Sequence, residues 1–215
     1  LLGKECKKMI NQWQMSEFHM DALQEVANIG LGNAATSMAE LLNKKVDMAV
    51  PKAFFHEFEQ VFALVGGMED LVSCVIIGIE GGIAAAVMFL FDEQNTYRLV
   101  DLLMGREAGS TAGLDAMGES VIMEVGNILA GSFLNAIGEM TGLALKATVP
   151  IFAFDMLGAI LSSSLIASGC WDDKVLVVET VFSQKQDPVV GHFFLLPEIG
   201  SLGRLFETLG ITLNS

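Results

Sequence analysis

Asp21-Ala22-Leu23-Gln24-Glu25-Val26-Ala27-Asn28-Ile29 and Ser120-Val121-Ile122-Met123-Glu124-Val125-Gly126-Asn127-Ile128 are one pattern written twice. A shift of 99 lays Glu25 on Glu124, Val26 on Val125, Asn28 on Asn127 and Ile29 on Ile128. It continues without a gap through Gly32 on Gly131 and Glu40 on Glu139 to Val50-Pro51 on Val149-Pro150. At about 100° per residue, Asp21, Gln24, Glu25 and Asn28 share a narrow polar stripe of a helix. Ala22, Leu23, Val26, Ala27, Ile29 and Gly30 cover its other side. The second copy divides likewise, with Ser120, Glu124 and Asn127 opposite Val121, Ile122, Val125, Ile128 and Leu129. Such a helix buries its apolar side, so each copy presents a carboxylate and a carboxamide, one turn apart, at a surface.

Asn is a mediocre helix former, costing roughly half a kcal/mol against Ala, because its amide competes for backbone hydrogen bonds. A single Glu on this stripe reads as an ordinary solvated residue, and a single Asn as chance. Two Asn, each three residues after a Glu and beside the same Val and Ile, read as a requirement. Asp21 has a purely local alternative: with Gln24 three residues on, it has the spacing of a helix N-cap with a capping-box partner.

The whole chain narrows the class of function. At 215 residues, 52% of them apolar, it has ample material for a core and is not a disordered segment. A formal charge of −14 leaves nothing to neutralise a run of phosphates, which excludes nucleic-acid binding by charge. Cys6, Cys74 and Cys170 are odd in number and widely spaced, as expected of reduced cytoplasmic thiols. His19, His56 and His192 lack metal-ligand spacing. The longest apolar run, Ile83 to Phe91, falls far short of the eighteen or so residues of a spanning helix. A cytoplasmic protein without membrane insertion is expected.

Along the chain, residues 1–20 read as a leader of unclear role. Residues 21–215 read as one domain of two repeats, about 21–105 and 114–213, joined by a Gly/Ser/Thr-rich linker at Gly105 to Gly113. Long helices are expected at about Ser16–Leu42 and Leu114–Thr141. Strands are expected at Val46–Val50 and Leu145–Val149, each ending at a proline, and at Val61–Val65, Leu71–Ile79 and Ile83–Phe91. Asp92 caps a helix Glu93–Met104 that stops at Gly105. The segment Asp155–Ala167 reads as helical. Val175–Phe182 and Val189–Leu196 form a hairpin, before a last helix Leu202–Leu209. The expected class is α+β, internally duplicated with pseudo-two-fold symmetry, its long helices packed on one face of a mostly antiparallel β-sheet.

Asp21-x3-Glu25-x2-Asn28 and Ser120-x3-Glu124-x2-Asn127, in their E-V-x-N-I settings, closely resemble the paired signature of the CheC family of chemotaxis phosphatases, over nearly the whole chain from Asp21 onward. The related CheX proteins, shorter dimers with one working motif, resemble this chain more distantly, and FliY proteins carry an additional flagellar-switch domain. The resemblance implies a substrate, the aspartyl phosphate of the response regulator CheY. It also implies roles: Asn28 and Asn127 orient the attacking water, and Glu25 and Glu124 hold the receiver's active-site lysine. Asp21 and Ser120 would then support docking. No cofactor of the chain's own is expected, Mg²⁺ belonging to the receiver. Phe154-Asp155-Met156 with Ala159-Ile160 resembles the segment through which CheC proteins dock the deamidase CheD, giving Asp155 a partner-binding role. Its local alternative is capping the following helix. Met123 stands where the first motif has Gln24, so the two centres are not expected to be equally active. The competing reading is a non-catalytic adaptor that binds CheY or CheD.

Overall fold

The computed structural model of the protein describes residues 17–42, 47–57, 63–168, 174–184, 187–198 and 200–210. Its elements follow in the order α1 (Glu17–Leu42), β1 (Asp47–Glu57), β2 (Leu71–Gly81), β3 (Ala85–Asp92), α2 (Glu93–Met104) and α3 (Ala116–Thr141). Then come β4 (Leu145–Ala147), β5 (Ile151–Met156), α4 (Leu157–Ser168), β6 (Lys174–Gln184), β7 (Asp187–Pro197) and α5 (Ser201–Thr208). Local signals set several boundaries. The Asp92 carboxylate accepts the Asn95 N–H at 2.7 Å to start α2, and Gly105 ends it at φ 65°. Asp115 and Gly142 do the same for α3.

The strands form one antiparallel sheet in the order β1-β6-β7-β3-β2-β4, with β5 also paired to β2 beyond β4. Its centre line lies between β3 and β7, and the strand order is equivalent read from either end. Each repeat therefore gives its outer strand to the other: β1 pairs with β6, while β4 and β5 pair with β2. The two repeats share one sheet.

The proline expected to end each outer strand instead interrupts it. β1 runs on to Glu57 with a register shift between Ala49 and Lys52, around Pro51. In the second repeat the interruption is complete. β4 stops at Ala147, and β5 restarts at Ile151, a strand the sequence reading missed. Proline has no N–H for the ladder, so it settles at a bulge or an edge. Thr148 spans the second break, its N–H donating to the Gly78 carbonyl and its hydroxyl accepting the Gly78 N–H, both at 2.9 Å. Of the expected strand Val61–Val65, residues 63–65 form a helical turn, and Val61 and Phe62 lie outside the described residues.

One face of the sheet holds the main core. Val75, Ile77 and Ile79 of β2, Val87, Phe89 and Phe91 of β3, and Phe193 and Leu195 of β7 meet Val26, Ala34 and Met38 of α1 and Val125, Leu129 and Phe133 of α3. The Phe193 ring lies 5.0 Å from Phe89 and 4.8 Å from Phe133, centroid to centroid. Such pairs contribute about 0.5–1.5 kcal/mol each beyond burial. The helices are not confined to that face. Leu157, Ile160 and Leu161 of α4 cover the alternate residues Val72, Cys74, Met88, Leu90, Phe194 and Leu196 on the other side. The central strands are apolar on both faces and need a cover on each.

By length and composition α3 could cross a membrane, but its apolar side is packed into this core. The linker between the repeats is tied down by one side chain. Asp101, buried on α2, accepts the Gly109, Ser110 and Thr111 N–H groups and the Ser110 and Thr111 hydroxyls at 2.6–3.1 Å. Burial pushes its carboxyl pKa up, but the hydrogen bonds from Thr111, Ser110 and Gly109 outweigh that and hold it below the ordinary value.

Candidate active site: two Glu/Asn helix stripes

On α1, Asp21, Glu25 and Asn28 are exposed, while Val26 and Ala27 between them are buried. On α3, Ser120, Glu124 and Asn127 are exposed, with Val125 and Gly126 buried. The helical period is the whole cause: the same apolar residues that seat each helix on the sheet turn its Glu and Asn outward. Each stripe holds a carboxylate and a carboxamide on one helix, exposed to solvent. Among the described residues no group of three His, Cys, Asp or Glu could hold a metal ion.

How the helices are seated differs between the copies. A Cβ on Gly126 would stand 2.5 Å from the Cγ1 of Val75, so α3 lies on β2 at a distance only glycine allows. Its counterpart in α1 is Ala27, also fully buried. A Cβ on Gly30 would stand 2.9 Å from the Phe133 Cα, which marks where α1 and α3 touch. The two stripes are thus carried on helices packed directly against each other.

The residues around each pair also differ. Asp21 lies a full turn inside α1, which begins at Glu17, so it is not the helix N-cap. Ser120 donates its hydroxyl to the Ala116 carbonyl at 3.0 Å, a bond within its own helix. Gln24 and Met123, at matching positions, are both half-buried. Met117, one turn before Ser120 on the same stripe, is 59% exposed.

Asp155 lies apart from both stripes, exposed near the end of β5. It does not cap α4. The first N–H groups of that helix, from Leu157 and Gly158, donate to the carbonyls of Asp70 and Met68 at 2.9 Å. Among the described residues the Asp155 carboxylate accepts only the adjacent Met156 N–H, at 2.7 Å. Around it the edge of the sheet is apolar, with Val149 83% and Ile151 64% exposed. Cys74 is buried, which pushes its thiol pKa up and leaves it inert. Cys6 and Cys170 lie outside the described residues.

Two glycines escaped functional attention in the sequence although the repeat had aligned them. Gly32 and Gly131 follow Asn28 and Asn127 by one turn, and a Cβ on either would meet nothing within 4 Å. The signal was their pairing inside helices, where glycine is unfavourable.

The profile of the CheC-like family matches residues 18–54 and 117–153, the two copies of the stripe with the strand that follows each. The CheY-P phosphatase CheC of Bacillus subtilis is 36% identical over 203 residues, which are 93% of this chain and 97% of that protein. Among solved structures, FliY of Thermotoga maritima superposes with a TM-score of 0.74 at 18% identity, covering 92% of this chain and 98% of that one. The FliM middle domain of Vibrio alginolyticus superposes at 0.63 with 11% identity, covering 87% and 99%. The helix stripes, the shared sheet and the near full-length similarity converge on one assignment: this chain belongs to the CheC-like family.

Proposed function

We propose that this protein is a phosphatase for the aspartyl phosphate of a CheY-type receiver. The observation that carries the reading is the outward-facing Glu/Asn pair, present on both long helices of a chain similar over its length to a CheY-P phosphatase. Asn28 and Asn127 orient a water: a carboxamide donates and accepts hydrogen bonds at once, so it can hold a water in line with the phosphorus. Glu25 and Glu124 pair with the receiver's lysine and set the register of docking. Asp21 and Ser120 lie one turn further along and contact the partner without taking part in the chemistry.

This division suits phosphoryl transfer, where positioning and electrostatics do most of the catalysis. The receiver supplies its own Mg²⁺ and a slow self-hydrolysis, so the phosphatase adds only a placed water and a grip. A hundredfold acceleration corresponds to about 2.7 kcal/mol, within reach of one well-held water. Asp155, not occupied in capping, belongs in this reading to a separate partner surface on the β5 edge, the docking place of a CheD-type deamidase.

The test follows phosphate loss from a phosphorylated CheY-type receiver with wild type, Asn28→Ala, Asn127→Ala and the double variant. Loss of about two orders of magnitude in kcat/KM is expected for the double variant, with its melting temperature no lower than that of the wild type. Wild-type turnover by the folded double variant would dismiss the mechanism, whereas binding without turnover by the wild-type protein would leave an adaptor in its place.

A further inference from the structure

A glycine in a helix or at its end normally has one of two reasons: a neighbour too close for a Cβ or, at the C-cap, a left-handed backbone. Gly30 and Gly126 have the first, against Phe133 and Val75. Gly105 and Gly142 have the second, at φ 65° and 70°. Gly32 and Gly131 have neither. Both lie well inside α1 and α3 without a positive φ, and a Cβ on either would enter open space. Among the described residues nothing requires them, yet the chain carries glycine at this position in both copies at a cost to helix stability.

Their position supplies the reason. Gly32 follows Asn28 by four residues and Glu25 by seven, and Gly131 stands likewise to Asn127 and Glu124. Steps of four and seven remain on one helix face, so each glycine continues the Glu/Asn stripe by one turn. Asn has a short side chain. For its amide to reach a phosphate set into a receiver's surface, the helix backbone itself must lie almost on that surface. A side chain one turn along would hold the helix off. On α1 the Gly32 carbonyl already accepts the Thr36 hydroxyl at 3.2 Å, so the bare turn keeps a local partner for its oxygen.

We propose that Gly32 and Gly131 are the close-approach points of the two sites, where the receiver's surface seats against the helix backbone and thereby sets the depth to which Asn28 and Asn127 reach. The inference rests on the phosphatase reading above and makes these glycines positioning residues. They trade helix stability for contact.

The experiment isolates each site. Gly32→Ala and Gly32→Leu are made in an Asn127→Ala background, and Gly131→Ala and Gly131→Leu in an Asn28→Ala background. Melting temperature, steady-state hydrolysis of the phosphorylated receiver and affinity for the beryllofluoride-loaded receiver are measured for each. The Ala variants should melt about 2–4 °C higher, as expected for a helix propensity gain in a chain of this size. Their kcat/KM should fall about threefold, and that of the Leu variants about tenfold or more, as steric exclusion grows with side-chain size. The loss should lie in KM, with Kd for the beryllofluoride-loaded receiver weakened by the same factor.

Leu variants that bind and turn over like their parents overturn the proposal, as does a lowered melting temperature, which would assign the glycines a structural role. Failure of the wild-type protein to hydrolyse the phosphate at all defeats the phosphatase reading instead. The binding titration then still decides whether the glycines mark the contact.

Discussion

The two copies of the stripe share their Glu and Asn but seat their helices on different small residues. Glu and Asn recur unchanged at matching exposed positions of α1 and α3, and the Gly one turn on recurs too, exposed at Gly32 and half-buried at Gly131. The residues that seat those helices have diverged: Ala27 answers Gly126, and Gly30 answers Leu129. The inward differences are packing solutions, since α3 lies against Val75 and α1 meets α3 at Phe133. Each solution is particular to its own neighbours. The outward constancy has no such cause, because an exposed Asn in a helix gains nothing from the core. Under the proposed function, a common docking partner accounts for a polar stripe shared by two helices that are packed differently.

The comparison can be pressed at four points. The largest effect is expected where the repeats close. Asp101 on α2 is buried under five donors of the linker, whereas Glu207 on α5, the last helix of the second repeat, is exposed. Asp101→Ala should cost about 3 kcal/mol in urea denaturation, as for a buried charged hydrogen-bond acceptor, and Glu207→Ala less than about 0.5 kcal/mol. Because the folded pKa of Asp101 lies below its ordinary value, its contribution is complete above the ordinary carboxylate range. It is lost as pH falls through the depressed value. An acid-titration midpoint that Asp101→Asn leaves unmoved would contradict this.

Next in size is the seating of the helices. Gly126→Ala should destabilise by about 2 kcal/mol through overpacking against Val75, and Ala27→Gly by about 1 kcal/mol. Equal small effects at the two positions would mean that the helices sit alike after all.

Third is the balance of activity. The α3 stripe offers a receiver fewer polar groups than the α1 stripe, since Met123 replaces Gln24 and the Ser120 hydroxyl is spent on Ala116. Asn28→Ala should therefore reduce kcat/KM about threefold more than Asn127→Ala, and the reverse order would place the stronger site on α3. The smallest effect is expected from exchanging the docking residues. Asp21→Ser combined with Ser120→Asp should change total turnover less than about twofold while altering the salt dependence of KM, exposed charges being screened at physiological ionic strength.

Much of the architecture was legible because its signals are local. The cap and stop of α2 at Asp92 and Gly105, the β6–β7 hairpin and the extent of α3 follow from side chains acting on their own backbone. The errors cluster where a distant strand decides. Pro51 and Pro150 read as strand ends, but in antiparallel partners they are absorbed as a bulge and a break. Asp155 read as the possible cap of α4, but the carbonyls of Met68 and Asp70 fill that role from across the chain. The α4 helix covers the second face because the central strands are apolar on both sides. The unbroken apolar run Ile83 to Phe91 already carries that signal, but which helix supplies the cover is decided by the tertiary structure.

By itself, the sequence determined the duplication, the helical faces and the outward position of Glu25, Asn28, Glu124 and Asn127, because a period of 3.6 residues settles which side of a helix is buried. Only the tertiary structure decided that the repeats exchange their outer strands across one sheet and that Gly30 and Gly126 are packing glycines while Gly32 and Gly131 are bare. Which residues share a face follows from bond geometry along one segment. Which neighbour comes within a Cβ's reach depends on the packing of segments far apart in the chain.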